Sequence, residues 1–312
     1  MAKILDTKPS PSAEPAHAAK GFSLIPNEKL IAIYSTMVKC RMLQQKAATL
    51  FQQGRLATDL RASSGREACA AAVSVDFEPE DTLSIASGDW LPSFVKGIPV
   101  SALFRLLAPQ INGDSRFVSN EAQRHNIIVH EVDADQPSIV LDRAEAIHTN
   151  KKPAIVAAFL RPLACASSHW HKVMATAAAR RLPIVFVHYV QDEGTFQPPS
   201  VLGKKKTNQA VFHGVPAIAV DAADPVALYR VAYEAVTRAR QGRGATLLEC
   251  TTVPVVPSPA SSADSRTAQP NDPISAMETY LKSKGIQLEH HNREVVARFT
   301  RDLDLATRFL DH

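Results

Sequence analysis

Ala154-Ile-Val-Ala-Ala-Phe159 and Pro183-Ile-Val-Phe-Val-His-Tyr189 are the two runs on which the fold turns. Each is short, continuously apolar and rich in β-branched or aromatic residues, as suits a strand covered on both faces. Between them Trp170, Val173, Met174, Ala177 and Ala178 recur at helical spacing. Strand, helix and strand in this order predict a parallel βαβ unit with a right-handed crossover. Ligands of such sheets bind beyond the carboxyl ends of the strands. Here those ends are Leu160-Arg-Pro-Leu163 and Val190-Gln-Asp-Glu193.

Working outward, the same alternation continues. Asn27 is positioned to cap a helix whose buried face is Leu30, Ile33, Tyr34, Met37 and Cys40, continuing through Ala47, Leu50 and Phe51 to a stop at Gly54. A second helix starts near Gly65-Arg-Glu67 with a small-residue stripe, Ala68, Ala71, Ala72 and Val75. Thr82 to Ala86 and Asn126 to Val132 read as strands, Val100 to Leu107 and Ile139 to His148 as helices, and 109–124 as a polar, irregular stretch. Ala217 to Val220 and Ala245 to Cys250 are further strands. Asp224-Pro225 and Asp272-Pro273 each combine a capping side chain with a proline at the first helical position. The organisation expected is a disordered tail over 1–22, an α/β domain over 23–252, a Pro/Ser-rich loop over 253–271 and C-terminal helices over 272–312 packing on the same domain. The fold class is α/β, a mostly parallel sheet with helices on both faces.

Composition narrows the function classes. Over 312 residues the net charge is only +4, with Lys204-Lys-Lys206 the one tight basic run, so nucleic acid is not an expected partner. Four cysteines (Cys40, Cys69, Cys165, Cys250) stand far apart without paired spacing, which suits reduced thiols in the cytoplasm rather than a disulfide framework or a zinc site. No stretch approaches the ~18 apolar residues of a membrane span, and no apolar targeting segment opens the chain. Glycine, at 12 residues, is roughly half as frequent as usual while proline reaches 21. Phosphate cradles need glycine for close backbone approach, so the composition argues against one.

In their order and spacing, several stretches resemble the alpha subunit of the thiamine-diphosphate-dependent dehydrogenase component of 2-oxo acid dehydrogenase complexes, the pyruvate, branched-chain and acetoin enzymes. They are Leu30 to Gly54, Gly65-Arg-Glu-Ala68, Gly97 to Leu103, Trp170-His171 through Val187, Gly214-Val-Pro216, Asp224 to Glu249, and Asn271 to Gly285. The resemblance implies the thiamine-diphosphate-binding fold, oxidoreductase chemistry on the oxo group of a donor with a disulfide as acceptor, and assembly with a beta subunit. It also implies thiamine diphosphate and Mg²⁺, held by Gly-Asp-Gly after one strand and Asn-Asn after the next. Octahedral Mg²⁺ takes oxygen ligands such as those Asp and Asn side chains.

Counting from Trp170-His171, the first of these motifs falls on Arg161-Pro162-Leu163 and the second on Val190-Gln191. Proline offers no side-chain oxygen, and both glycine positions carry side chains. The family's Tyr-Arg pair and histidines near Gly97 are replaced by Ser87-Gly-Asp-Trp-Leu-Pro92, and its histidine loop by Val253-Pro-Val-Val-Pro-Ser-Pro259. The expectation is a pseudoenzyme: no catalytic residues, no metal and no bound cofactor, with a structural or regulatory role in a homo- or hetero-oligomer with a beta-like or alpha-like dehydrogenase subunit. The alternative is an active thiamine-diphosphate-dependent oxidative decarboxylase of a pyruvate-like 2-oxo acid, working with a beta subunit. A third is an unrelated ligand in the emptied cleft, with Arg161 as an anion contact. Other candidates read as structural: His169-Trp-His171 at a helix start, His290-His291 as a solvated helix start, Cys165 near Arg161 as an inert thiol, and Glu131, Asp133 and Asp135 as a solvated turn. Glu67 is expected in an interface or capping role.

Overall fold

Side chains alternate across a strand, and here the alternation sorts one strand's residues into two separate cores. Val156, Ala158 and Leu160 enter one; Ile155, Ala157 and Phe159 enter the other. A strand apolar on both faces has to be covered on both faces. The computed structural model describes residues 25–57, 66–108, 115–130, 132, 134–161, 167–191, 210–252 and 272–311. The expected boundaries within 1–24 and 253–271, and Lys204 to Lys206, lie outside the described residues.

In chain order the elements are α1 (Asn27–Gln52), α2 (Glu67–Ser74), β1 (Thr82–Ala86), α3 (Leu91–Lys96), α4 (Val100–Leu107), α5 (Ser115–Arg124) and β2 (Ile127–His130). There follow α6 (Gln136–Thr149), β3 (Val156–Leu160), α7 (Ser168–Arg180), β4 (Ile184–Gln191), β5 (Ala210–Phe212) and β6 (Val215–Asp221). Last come α8 (Pro225–Arg240), β7 (Thr246–Thr252), α9 (Pro273–Ser283) and α10 (Glu289–Thr307), which runs into a 3-10 turn at Arg308–Asp311. The seven strands form one sheet in the order β2-β1-β3-β4-β7-β6-β5. All pairings are parallel except β5 with β6. The mixed α/β architecture, with a mostly parallel sheet, is the one expected.

Strand order decides where a ligand could enter. From β1 the chain moves out to β2 through α3, α4 and α5, then returns through α6 to β3 on the other side of β1. The junction of β1 and β3 is therefore a topological switch point. On one face Val140, Ala144 and Ile147 of α6 and Trp170, Val173, Met174 and Ala177 of α7 form the smaller core. Trp170 meets Phe186 edge to face there, ring centroids 5.9 Å apart. The larger core on the other face gathers α1, α2, α3, α4 and α8, together with Met277 and Leu281 of α9 and Phe299 and Leu303 of α10.

Several local expectations need correction. The stretch read as irregular contains α5, which is polar on average but one-sided, with Ala122 buried and contacts to α4 and β2. Asn27 is the first residue of α1 and not its cap; Pro26 holds the capping position, and its carbonyl accepts from Lys29 and Leu30. Strand β5 was invisible to periodicity, being three residues long. It exists because His213 (φ 48°) and Gly214 (φ 83°) both adopt left-handed backbone, the requirement of a tight type I′ hairpin. Asp224 and Asp272 do cap their helices, accepting from Val226 and Ala227 and from Ser275 respectively.

Candidate functional site

Arg161 follows the last residue of β3, while Val190 and Gln191 close the adjacent β4. The structure thus brings together, at the carboxyl ends of neighbouring strands, those expected positions that it describes. Pro162 and Leu163 lie outside the described residues, as do Cys165, Asp192 and Glu193. Arg161 donates through Nη2 to the carbonyl of Ser87, 2.6 Å away, just past the end of β1. Its guanidinium therefore crosses the switch point. Val190 is buried, and its carbonyl lies 3.5 Å from the Thr252 hydroxyl at the end of β7.

Beneath Arg161 is a set of polar groups that the sequence reading did not single out. Asp89 is 8% exposed and sits in the turn after β1. Burial pushes its carboxyl above the usual carboxylate range, against the pull of Arg66, the Tyr189 hydroxyl and Arg161. Tyr189 is fully buried on β4, its ring centroid 6.0 Å from that of Phe159. The Arg66 guanidinium lies over the Tyr189 ring, 4.4 Å from its centroid, a cation–π arrangement. Burial first, and then the charge of Asp89, drives the Tyr189 phenol well up. Yet the Tyr189 hydroxyl, Asp89 Oδ1 and Arg66 Nε make no well-formed hydrogen bond. Facing side chains without a hydrogen bond are unusual in a buried polar cluster. The sequence signals were a tyrosine near the end of an apolar strand, an Asp within Ser87 to Pro92 and an Arg within Gly65-Arg-Glu-Ala68, with nothing to join the three.

Other polar groups in the larger core have structural explanations. Glu67 is fully buried at the start of α2 and pairs with Arg41 of α1. Arg41 also bonds Asp272 Oδ1 at 2.6 Å, so one guanidinium ties α1 to α2 and to the cap of α9. Burial alone would raise the Asp272 carboxyl, but the Arg41 charge and the Ser275 hydrogen bonds hold it below its ordinary range. Glu67 thus has a packing role. Cys69 and Cys250 are free, buried and in contact; their mutual hydrogen bond, then burial, keep the Cys69 thiol far from ionisation. Cys69 is therefore not a reactive thiol of the low-pKa kind.

The histidine candidates separate in the same way. His169 and His171 stand in the first turn of α7, where the Ser167 side chain caps the His169 amide. His171 stacks on His213 of the β5–β6 turn at 4.2 Å between centroids, a contact no local pattern could reveal. His291 hydrogen-bonds Ser35 at 2.8 Å, which corrects its reading as part of a solvated helix start. His188 and Glu249 face each other across β4 and β7, both buried, with Nδ1 and Oε2 3.9 Å apart. Asp135 precedes α6 without capping it, while Glu131 and Asp133 lie outside the described residues. Among the described residues no group of three His, Cys, Asp or Glu side chains could hold a metal ion. None of the described helices is long and apolar enough to cross a membrane. A cleft of about 360 Å³ between α1, α9 and α10, lined by Tyr34, Glu278 and Arg293 among others, includes none of the strand-end residues.

Against known proteins, residues 34–309 match the family model described as dehydrogenase E1 component. The chain belongs to that family. The E1-component relatives include the pyruvate dehydrogenase E1 component subunit alpha of Staphylococcus aureus strain MW2, 25% identical over 297 residues, covering 92% of this chain and 79% of the relative. The counterpart of the same name from Staphylococcus epidermidis is 25% identical over 306 residues with the same coverage. These matches put the chain among E1 alpha subunits, the family its scaffold stretches resemble.

Proposed function

We propose that this E1-component chain is a degenerate alpha-subunit homologue without decarboxylase activity of its own, serving a structural or regulatory role in a dehydrogenase assembly. One observation carries the reading. Where the family resemblance calls for a metal-binding carboxylate between glycines, the sequence has Pro162 between Arg161 and Leu163, and at the end of the adjacent strand it has Val190 and Gln191. Thiamine diphosphate and Mg²⁺ do not fit such residues. A proline side chain provides no oxygen to octahedral Mg²⁺, and valine provides none either. The Arg161 guanidinium already spans from β3 to the Ser87 carbonyl, across the crevice a diphosphate would enter. The scarcity of glycine points the same way.

The relatives are named as alpha subunits, which supports pairing with a beta-like or alpha-like dehydrogenase subunit. Cys40, Cys69 and Cys250 are free and buried, in keeping with a reducing compartment such as the cytoplasm. Calorimetric titration with thiamine diphosphate and Mg²⁺ tests the reading, on the purified chain and on its mixture with a candidate beta subunit. No heat of binding is expected in either. Micromolar binding by the mixture would overturn the proposal in favour of an active decarboxylase completed by its partner.

A further inference from the structure

We infer that the cluster of Arg66, Asp89, Arg161 and Tyr189 is a binding site for a small oxyanion, a carboxylate or inorganic phosphate, occupied in place of thiamine diphosphate. The inference rests on the reading that this crevice has lost that cofactor.

Two guanidinium groups and one carboxyl meet here: Asp89 feels the charge of both Arg66 and Arg161. Even with Asp89 ionised, the set carries one net positive charge. Three of its atoms are buried without a well-formed hydrogen bond, namely Arg66 Nε, Asp89 Oδ1 and the Tyr189 hydroxyl. Two of them can donate, and a protonated Asp89 would make a third donor. Buried donors beside excess positive charge are complementary to an acceptor-only ligand, which is what an oxyanion is. The cation–π contact with Tyr189 holds the Arg66 guanidinium in place in advance, so little ordering is needed on binding. Asp89, Arg161 and Tyr189 come from the carboxyl ends of β1, β3 and β4, at the switch point where open α/β sheets bind ligands, and Arg66 comes from the start of α2.

The test uses the full chain, dialysed against a buffer without oxyanions and titrated separately with acetate and with inorganic phosphate, with sodium chloride at matched ionic strength as control. Saturable binding of acetate or phosphate, absent with chloride, is expected, and the preferred probe identifies the ligand class. Arg161→Gln should weaken that binding by about tenfold, the loss of one charge-assisted hydrogen bond. Tyr189→Phe should weaken it several-fold, because it removes a buried hydroxyl facing Asp89. The inference is overturned if neither probe binds, or if binding is equal in wild type and both variants. A parallel titration with thiamine diphosphate and Mg²⁺ separates the two failures. Binding of that cofactor sinks the proposed function and this inference together. Silence from the cofactor and from both probes sinks only the inference.

Discussion

Replacing Arg41 with alanine is expected to destabilise the fold by about 3–5 kcal/mol. The magnitude follows from what the substitution strands. Glu67 is fully buried, its Oε1 is paired with Arg41, and its Oε2 has no hydrogen-bond partner. Removing the guanidinium leaves a carboxylate in the larger core without a counter-charge. It also cuts the 2.6 Å bond to Asp272, loosening α9 from α1. Stabilities of natural domains are about 5–15 kcal/mol, so the variant would stand near its limit. Urea unfolding followed by circular dichroism at pH 7 measures the loss directly. The double variant Arg41→Met, Glu67→Met should recover most of it, since filling both positions with apolar groups removes the stranded charge as well as the pair.

The acid limb supplies a second reading of the same network. The folded-state pKa of Asp272 is depressed, so its contribution is present above the unfolded carboxylate value, near about 3.9, and is lost as pH falls through the folded value. Arg41→Ala removes the main depressing charge. The gap between wild type and variant should therefore narrow as pH drops below about 4. A loss under about 1 kcal/mol at neutral pH, or a gap that widens in acid, would refute the account of Arg41 as the tie between three helices.

Two further predictions rest on single contacts. Gly214→Ala should destabilise the β5–β6 hairpin by about 1–3 kcal/mol, because a Cβ there would lie 2.9 Å from that of Ala178 and the backbone sits at φ +83°; a melting temperature equal to wild type would contradict the turn geometry. Cys40, Cys69 and Cys250 should resist a maleimide in the native protein and react on denaturation, as thiols both buried and held far from ionisation at Cys40 and Cys69 require; peptide mapping showing native labelling at any of the three would count against the packing of α1, α2 and β7.

Much of the fold was legible because its signals are local. Two-sided burial writes continuous apolar runs into β3 and β4, and cap-plus-proline pairs announce α8 and α9 at Asp224 and Asp272. The site was legible only in part. Arg161, Val190 and Gln191 could be located by spacing from Trp170-His171, which is a linear measure. Arg66 and Asp89 lie in stretches the resemblance marks, Gly65-Arg-Glu-Ala68 and Ser87 to Pro92, but their meeting with Tyr189 could not be read, since each belongs to a different part of the chain. The same holds for His188 and Glu249, which look like ordinary strand residues until β7 is laid beside β4.

Sequence by itself therefore determined the element types and the parallel α/β class, and placed Arg161, Val190 and Gln191 at the ends of adjacent strands. These depend on periodicity, capping chemistry and counted spacing, all properties of neighbouring residues. Only the tertiary structure decided the strand order, and with it the convergence of Arg66, Asp89, Arg161 and Tyr189 at the β1–β3 crevice and the tie of Glu67 to Arg41 and Asp272. Strand order is settled by which covered faces pack together, a balance struck among segments far apart in the chain. No local pattern carries that information.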